Sequence, residues 1–237
     1  MARSLSIIIP VAKEDSVWRE LLWELVPMRN EAEIVIAATE YQPEDWISLQ
    51  QSWGFDALDS PVRWLKCPAG RASQMNEAAR QAAGGYLWFL HADSRLAEDS
   101  ISALMASLGR HPDDLHYFDL EFQSDAPVMM RLNAWGVWFR SHIFNMPFGD
   151  QGLAISKINF DQLGGYDETL PYGEDHHLVW TARIAGLKLR AVKATLSTSA
   201  RKYQQRGWWR TTYTHVWLTW KQAIPMYCRL LKRRWFS

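Results

Sequence analysis

Cysteine is scarce in this chain, and neither copy belongs to a recognisable metal or redox motif. Cys67 and Cys228 lie far apart and form no Cys-x-x-Cys pair. Isolated cysteines of this kind are typical of buried apolar side chains in a reducing compartment. Long apolar runs are also missing, since the first one, Leu5–Ile9, ends at a proline and is too short for a signal-peptide core or a membrane span. We therefore expect a cytoplasmic protein.

Glycine is absent before Gly54, and this absence disfavours two large classes of nucleotide-binding enzyme. A G-x-G-x-x-G or G-x-x-x-x-G-K-[ST] loop after the first strand needs glycines, because the backbone there approaches phosphates closely. The sequence therefore disfavours both a dinucleotide-dependent oxidoreductase and a P-loop kinase. The chain also lacks G-x-S-x-G and H-E-x-x-H, which removes the minimal parts of an α/β-hydrolase or a zincin.

Acidic residues are absent after Asp175. Residues 1–175 hold 13 basic and all 26 acidic side chains, whereas residues 176–237 hold the other 13 basic side chains and no acid. Such a segment attracts phosphate groups on a small ligand, a nucleic acid or an anionic membrane. The alternative is a basic surface that pairs with the acidic N-terminal part. That acidic part would repel a polynucleotide, so we expect no nucleic-acid partner.

Short apolar strands alternate with helical patterns near the N-terminus. Strands are predicted at 5–9, 33–38, 62–67 and 86–90, and helices at 18–25, 44–53 and 72–83. This alternation predicts an α/β fold with a mainly parallel sheet flanked by helices on both faces. Ligands of such sheets bind at the carboxyl ends of the strands. The segments of interest are therefore 10–14, 37–41, 68–71 and 91–95.

The second half has a mixed pattern that we expect to extend the same sheet. After a helix at 101–108, residues 116–122 alternate like a strand, 129–144 are aromatic and irregular, and 152–156 form a short strand. No repeat or convincing linker is present. We predict one domain, 1–207, followed by a basic, tryptophan-rich helical appendage, 208–237.

The apolar strand at 86–90 ends in two side chains that can bind a ligand, His91 and Asp93. The two point to the same side if the extended conformation continues. A carboxylate, with or without an imidazole, suits Mn²⁺ or Mg²⁺ when phosphate oxygens and water complete the shell. The alternative is that Asp93 caps the next helix, although Asp99 and Ser100 are better placed to do so.

Three further polar segments are candidates for the site. Gly70–Asn76 puts Arg71 at the start of a helix, which is a ready anion site. Phe148–Gly152 is a tight polar turn that leads into a strand. Glu174 and Asp175 begin a helix that carries His176 and His177, of which His177 is expected to face the core. The two acids could be caps stabilised by the helix dipole, and one of them would still be free to act as a base.

Taken in order, these blocks resemble the inverting glycosyltransferases of family 2, in particular the small bacterial branch with G-R-A-x-Q-M-N, F-L-H-A-D-[ST]-R-L, G-D-Q-G and E-D motifs. The similarity covers the chain from Leu5 to Arg210. It implies a glycosyltransferase A-type, Rossmann-like fold, a nucleotide-diphosphate sugar donor and a divalent metal. By position, Asp93 corresponds to the metal-binding aspartate of D-x-D, Asp175 to the catalytic base and Arg71 to the basic residue beside the nucleotide.

The resemblance also suggests which residues bind the nucleotide sugar. They are Pro10, Val11, Glu14, Glu40, Arg71, Gln74, Asn76, Ala92, Asp93, Arg201 and Arg206. Three departures matter: His91 replaces the first aspartate of D-x-D, Lys13-Glu14 replaces asparagine-glutamate, and Ala37–Glu40 lacks the aspartate that commonly contacts the base. The sequence therefore does not assign the nucleotide.

The expected reaction transfers the sugar to a hydroxyl acceptor with inversion. Asp93, with His91, would hold a metal that neutralises the leaving diphosphate, and Arg71, with Arg201 or Arg206, would add positive charge. Asp175 would remove the acceptor proton. The stretch 129–148 is expected to shape the acceptor pocket. The alternative is a catalytically silent protein of the same fold that binds a sugar nucleotide or a membrane surface.

The C-terminal segment combines five tryptophans with basic residues and is interrupted by Lys221 and Pro225. The interruption predicts that it does not span a bilayer. Tryptophan and lysine or arginine favour a membrane interface, so a peripheral association that reaches a lipid-linked acceptor is one hypothesis. The other is a helix that packs its tryptophans on the preceding domain.

Overall fold

The computed structural model describes residues 4–28, 30–54, 61–122, 129–198 and 208–236. In these ranges eight strands form one sheet flanked by helices. The strands are β1 (Leu5–Val11), β2 (Ala32–Ala38), β3 (Val62–Lys66), β4 (Tyr86–Phe89), β5 (Arg95–Leu96), β6 (Leu115–Phe122), β7 (Ala154–Ser156) and β8 (Leu189–Thr198). The helices are α1 (Trp18–Leu25), α2 (Trp46–Ser52), α3 (Arg71–Gln81), α4 (Ser100–Arg110), α5 (Met129–Ile143), α6 (Lys157–Gln162), α7 (Glu174–Ala185) and α8 (Trp208–Phe236).

The first four strands are parallel neighbours in the order β3-β2-β1-β4. Every residue of β1 and β2 is buried, as expected for a sheet covered on both faces. Ile7 and Ile9 pack with α1, α2 and α4 on one face, and Ile8 packs with α3, α6 and α7 on the other. The prediction of an α/β fold with a mainly parallel sheet is confirmed.

The second half extends this sheet, with one strand reversed. Strand β7 lies between β4 and β6 and is antiparallel to both. Strand β8 is parallel to β6, and β5 pairs antiparallel with β8 at the edge. The strand predicted at 152–156 begins only at Ala154, because a 3₁₀ turn at Gly149–Gln151 leads into it.

Met129–Ile143 is a regular helix, α5, so the prediction of irregular structure at 129–144 is wrong. Much of α5 is solvent-exposed and apolar: Leu132, Trp135, Trp138 and Ile143 are all exposed. The sequence therefore shows no alternation of polar and apolar faces, and that alternation is the main sequence signal of a surface helix. Tertiary contacts hold α5 instead, including the bond from the Tyr117 hydroxyl to the Ser141 carbonyl, 3.3 Å.

The C-terminal segment forms one helix, α8, which continues through Pro225. Proline removes one backbone donor, but here it does not end the helix. Ala223, Met226 and Leu230 bury one face of α8 against Met146 and Trp180, whereas Trp217 and Trp220 remain exposed. The helix therefore docks on the preceding fold mainly through this apolar face, and Trp220 adds one ring contact, with Phe144 at 5.6 Å. Within the described ranges, no helix has the length and apolar character needed to cross a membrane.

Candidate active site

A cavity of about 810 Å³ lies beside the carboxyl ends of β4 and β8 and extends between α5 and α8. Four of the predicted site residues, from three separate parts of the sequence, line it. His91 and Asp93 follow β4, Asp175 lies in the first turn of α7, and Arg71 is the first residue of α3. The two acids predicted to act in the reaction, Asp93 and Asp175, thus face one cavity.

A tight turn after β4 places Asp93 at the cavity. The Ser94 amide donates to the His91 carbonyl at 3.0 Å, and Thr198, the last residue of β8, donates its hydroxyl to Asp93 Oδ2 at 3.4 Å. Asp93 is half-buried and does not cap α4, whose N-cap position is Asp99. Its carboxylate is therefore available to a ligand in the cavity.

Asp175 shares the guanidinium of Arg71 with Glu174. Arg71 Nε lies 3.0 Å from Glu174 Oε1, and Arg71 NH2 donates to Asp175 Oδ2. Neither acid caps α7, because the N-cap residue is Gly173 and no side chain caps it. Asp175 Oδ1, a buried oxygen, accepts no hydrogen bond within the described part of the chain. One carboxylate oxygen is thus held by Arg71, and the other is buried without a hydrogen-bond partner among the described residues.

Burial raises the pKa of Asp175 above its ordinary value. The positive charge of Arg71 lowers that pKa, while the negative charges of Glu174 and Asp150 raise it, and the net direction is upward. For Arg71 itself, burial lowers the pKa but Asp175 and Glu174 raise it, with a net increase. Arg71 therefore stays charged, and Asp175 is a stronger proton acceptor than an exposed aspartate.

The turn at Gly149–Gln151 packs directly against the Asp175 carboxylate. A Cβ on Gly149 would lie 2.7 Å from Asp175 Oδ1 and still closer to its Cγ and Oδ2, so only glycine leaves room for this carboxylate. The turn is held by Gln151, whose side-chain oxygen accepts from Ser141 Oγ at 2.9 Å and whose amide donates to the Phe118 carbonyl at 2.8 Å. The turn thereby fixes one wall around Asp175.

A chain of hydrogen bonds joins the start of α7 to α8. Trp180 Nε1 donates to His176 Nε2 at 2.8 Å, so His176 Nδ1 carries the proton and donates to Gln222 Oε1 at 3.2 Å. Gln222 in turn donates to the Tyr172 carbonyl at 2.9 Å. Burial lowers the pKa of His176 to about 4, which keeps the ring neutral. The histidine predicted to face the core was His177, but the buried one is His176.

A second, smaller groove of about 270 Å³ lies at the carboxyl ends of β1 and β2. Val11, Glu14 and Glu40, all predicted to bind the nucleotide, line it together with Trp18 and Trp64. The two tryptophan rings are 5.4 Å apart and meet edge to face. This partly acidic groove offers carboxylate acceptors and an aromatic wall, in which Trp64 is partly exposed and Trp18 lies buried behind it.

A family model described as Glycosyl transferase family 2 matches residues 6–155, more than half of the chain. The chain belongs to glycosyl transferase family 2. No curated protein sequence matches it significantly. Membership of this family supports sugar transfer as the class of reaction.

This chain shares its fold with solved structures of other glycosyltransferases. A mannosyltransferase, PcManGT from Pyrobaculum calidifontis, in complex with GDP-Man and Mn²⁺, superposes with a TM-score of 0.69 at 14% identity, over 99% of this chain and 69% of that one. Residues 1–349 of S. aureus TarS in complex with UDP-GlcNAc superpose with a TM-score of 0.60 at 16% identity, over 83% of this chain and 58% of that one. This chain thus spans less than two thirds of that TarS chain. The fold is of the glycosyltransferase A type.

Four other residues predicted to bind the donor of this family 2 protein line neither the cavity nor the groove. Pro10 and Ala92 are buried. Gln74 donates to the Val11 and Ala37 carbonyls at 2.8 and 2.7 Å, and so holds the ends of β1 and β2 together. Asn76 bonds to the backbone of Tyr166 and the carboxylate of Glu168. Arg201 and Arg206 lie outside the described residues. For all of these, nucleotide binding stays a prediction.

Sequence reasoning missed several residues that line the cavity of this family 2 protein. Asp150, Arg140, His176 and Gln222 all do so. The G-D-Q-G block was a signal for Asp150. Arg140, which reaches Gln151 Oε1 at 3.1 Å from α5, lies in the stretch 129–148 that the sequence assigned to the acceptor pocket, although it was not named there. Nothing in the local pattern points to Gln222 in the C-terminal helix.

The family implies a divalent metal, and the residues present are compatible with one. Among the residues that the structure describes, no group of three or more histidine, cysteine or acidic side chains is placed to hold a metal. Asp93 and His91 nevertheless both face the cavity. Mg²⁺ and Mn²⁺ commonly take one or two protein ligands and complete their shell with phosphate oxygens and water. The site thus fits a cation bound jointly with a diphosphate, not a cage made by the protein alone.

Proposed function

We propose that this family 2 protein is an inverting, metal-assisted glycosyltransferase that moves a sugar from a nucleotide-diphosphate sugar to a hydroxyl acceptor. The observation that carries the proposal is the shared cavity: Asp93 and Asp175 both line it, and Asp175 keeps one oxygen without a hydrogen-bond partner among the described residues. The solved complexes of TarS with UDP-GlcNAc and of PcManGT with GDP-Man support a nucleotide-sugar donor by likeness of fold.

On the acceptor side, Asp175 acts as the general base. Its oxygen without a hydrogen-bond partner, Oδ1, takes the proton of the acceptor hydroxyl while the hydroxyl oxygen attacks the anomeric carbon. The bond between that carbon and the diphosphate oxygen breaks, and the nucleoside diphosphate leaves from the opposite face, so the configuration inverts. Arg71 was predicted beside the nucleotide. Its contacts with both Glu174 and Asp175 support a role in holding the base and keeping it ionised.

On the donor side, Asp93 and His91 would hold the metal, and Thr198 orients the Asp93 carboxylate. When bound, the metal supplies positive charge to the leaving diphosphate. The groove at the ends of β1 and β2 is the proposed place for the nucleoside, between Glu14 and Glu40 over the tryptophan wall. Arg201 and Arg206 remain predicted donor contacts.

For location and partner, the proposal is that the protein associates peripherally with the inner face of an anionic membrane and that its acceptor is lipid-linked. The exposed Trp217 and Trp220 of α8 support it, since tryptophan favours the membrane interface. The cytoplasmic location and the boundary between domains at residue 207 stay predictions from the sequence.

Thermal unfolding with a panel of nucleoside diphosphates and their sugars, with and without Mn²⁺, tests the donor proposal. A ligand that binds the native state raises the melting temperature. We expect a shift selective for one nucleotide and dependent on Mn²⁺, and we expect Asp93→Asn to abolish the dependence on Mn²⁺. Asp161→Asn, an exposed acid on α6, is the matched control and keeps the full shift.

Transfer assays test the role of Asp175 as the general base, and they use the donor that the thermal-unfolding panel identifies. Asp175→Asn should lower turnover by about 10²–10⁴-fold while the thermal shift by the donor persists, and the product of the wild type should have the inverted anomeric configuration by NMR. Turnover unchanged in Asp175→Asn, or a retained configuration, contradicts the mechanism. Donor binding with no transfer to any acceptor would favour the silent binding protein.

A further inference from the structure

The cavity that holds the two acids continues between α5 and α8, and there its walls are apolar. Trp135 and Phe139 line it from α5, Val216 and Trp220 from α8, and Phe144 from the loop after α5. The carboxylates of Asp93, Asp150 and Asp175 lie on the sheet side of the same cavity. A molecule that fills this space therefore meets acids at one end and aromatic rings at the other.

The apolar wall is exposed to solvent although it lines a cavity. Trp135 is 61% exposed, Phe139 37% and Trp220 43%. The rings form a continuous series from one helix to the other: Trp135 stacks on Phe139 at 5.5 Å, Phe139 meets Phe144 at 5.5 Å, and Phe144 meets Trp220 at 5.6 Å. Contiguous exposed apolar surface of this kind usually marks a binding surface.

The apolar surface also extends beyond the mouth of the cavity. Trp138 and Ile143 of α5, and Trp217 and Ile224 of α8, are exposed and do not line the cavity. A small soluble acceptor would fill the cavity and leave these side chains in water. A lipid bilayer would cover them, because it offers apolar chains over a wide area.

The charge beside this surface has the sign that an anionic bilayer attracts. Lys221, Arg229 and Lys232 of α8 are exposed, and the sequence has no acid after Asp175. Basic side chains next to interfacial tryptophans strengthen binding to anionic lipids. This charge complementarity favours a lipid surface over a second copy of the chain, since two copies would bring basic helices together.

We propose that the acceptor is a membrane lipid whose apolar chain lies in the cleft between α5 and α8 while its hydroxyl reaches Asp175. The inference rests on the proposed function and names the acceptor class of the same site. The wall residues Trp135, Phe139 and Trp220 then determine specificity by selecting a hydroxyl carried on an apolar chain. The bilayer is both the source of the acceptor and the surface on which the two helices rest.

Vesicle flotation with the full-length protein tests the surface. Vesicles of phosphatidylcholine are compared with vesicles that also contain phosphatidylglycerol. We expect the wild type to float preferentially with the anionic vesicles, and the double variant Trp135→Ala/Phe139→Ala to bind them about tenfold more weakly. Trp23→Ala, a 55% exposed tryptophan on α1, is the matched control and should bind as the wild type does.

Phosphatidylglycerol with a photoreactive group on its acyl chain tests the occupant of the cleft. We expect crosslinked peptides from α5 and α8, and loss of these crosslinks in the double variant. Crosslinks confined to other elements, equal flotation of the double variant and the wild type, or a dimer in light scattering that the double variant abolishes would each overturn the inference. The Mn²⁺-dependent thermal shift by the donor is measured in the same samples. If the thermal shift persists but the protein does not float with anionic vesicles, only the inference about the acceptor is contradicted. If the thermal shift is absent, the proposed function is contradicted.

Discussion

At the scale of single residues, the site depends on one arginine shared by two acids. Arg71 and Asp175 are 104 positions apart in the sequence, yet the guanidinium binds one oxygen of the carboxylate and also pairs with Glu174. Burial alone would raise the pKa of Asp175 further than the structure does, because the Arg71 charge opposes it. The arginine thus favours the ionised form of a buried carboxylate, and the other oxygen of that carboxylate has no hydrogen-bond partner among the described residues.

Removal of the Arg71 charge should weaken the base at neutral pH. Arg71→Gln takes away the charge that lowers the pKa of Asp175, so that pKa rises and the acidic limb of the pH profile of kcat/KM moves to higher pH. Transfer at neutral pH falls toward the loss of about 10²–10⁴-fold expected without a base, and part of it returns at alkaline pH. Arg71→Lys keeps the charge and should shift the limb less. An unshifted limb in Arg71→Gln, with only KM for the donor raised, would instead indicate a nucleotide contact.

Gly149→Ala should damage catalysis more than folding. The added methyl group overlaps the Asp175 carboxylate and displaces it, and a misplacement of about 1 Å costs roughly 10²-fold in rate. Overpacking of this kind costs about 1–3 kcal/mol of stability. The control is Gly109→Ala in α4, where a Cβ meets nothing within 4 Å. Turnover and melting temperature measure the two effects, and an active Gly149→Ala enzyme would show that the close approach is not needed.

At the scale of secondary-structure elements, α8 forms one side of the cavity that Asp93 and Asp175 line. Its buried face, Ala223, Met226 and Leu230, packs on Trp180 of α7, and Gln222 binds both His176 and the Tyr172 carbonyl. Gly173 has a φ of +73° and lies against Gln222, so a side chain there would both strain the backbone and collide with α8. The turn before Asp175 and the C-terminal helix are therefore built to fit each other.

Gln222→Ala should loosen α8 and lower activity together. The variant loses two hydrogen bonds that connect α8 to the residues flanking Asp175, at a cost of about 1–2 kcal/mol. We expect faster hydrogen exchange in α8 and lower turnover, while the sheet keeps its protection. Gln162→Ala, an exposed glutamine on α6, is the control. Unchanged exchange in α8 would mean that the apolar contacts alone hold the helix.

At the scale of the whole molecule, stability should fall in mild acid because of His176. Its pKa is about 4 in the folded protein and about 6.5 in the unfolded chain. The folded-state value is the lower one, so full stability is present above about pH 6.5 and is lost as the pH falls toward 4, by on the order of 3 kcal/mol. The loss arises because the unfolded chain takes up a proton on His176, and His176→Gln cannot take up that proton.

The free energy of unfolding measured against pH checks this prediction. Between pH 6.5 and 4 the free energy of unfolding should fall more steeply with decreasing pH in the wild type than in His176→Gln. The difference between the two slopes should correspond to the uptake of up to one proton on unfolding. Because the slopes of the two curves are compared, the test remains valid even if His176→Gln is less stable than the wild type at every pH. Parallel curves would show that His176 is protonated in the folded protein.

Local patterns predicted the parallel half of the fold and two acids that line the candidate site, Asp93 and Asp175. The apolar runs of β1 and β2 and the helical spacing of Trp18, Leu21, Leu22 and Leu25 are signals within a few residues of each other, and burial of these side chains follows directly. Asp93 was found because it follows a buried strand. By contrast, α5 was missed because its apolar residues face solvent and the cavity, so no polar and apolar faces alternate.

The sequence by itself determined which residues form the central strands, that the sheet is mainly parallel, and that acids follow β4 and begin α7, because hydrophobic spacing and strand ends are properties of neighbouring residues. Only the tertiary structure decided that Arg71 binds Asp175, that Gly149 gives its carboxylate room, and that α5 and α8 form an apolar wall opposite the acids. Ion pairs, close approaches and shared cavities join residues far apart in the chain. Their energies depend on distance in space, which no local pattern records.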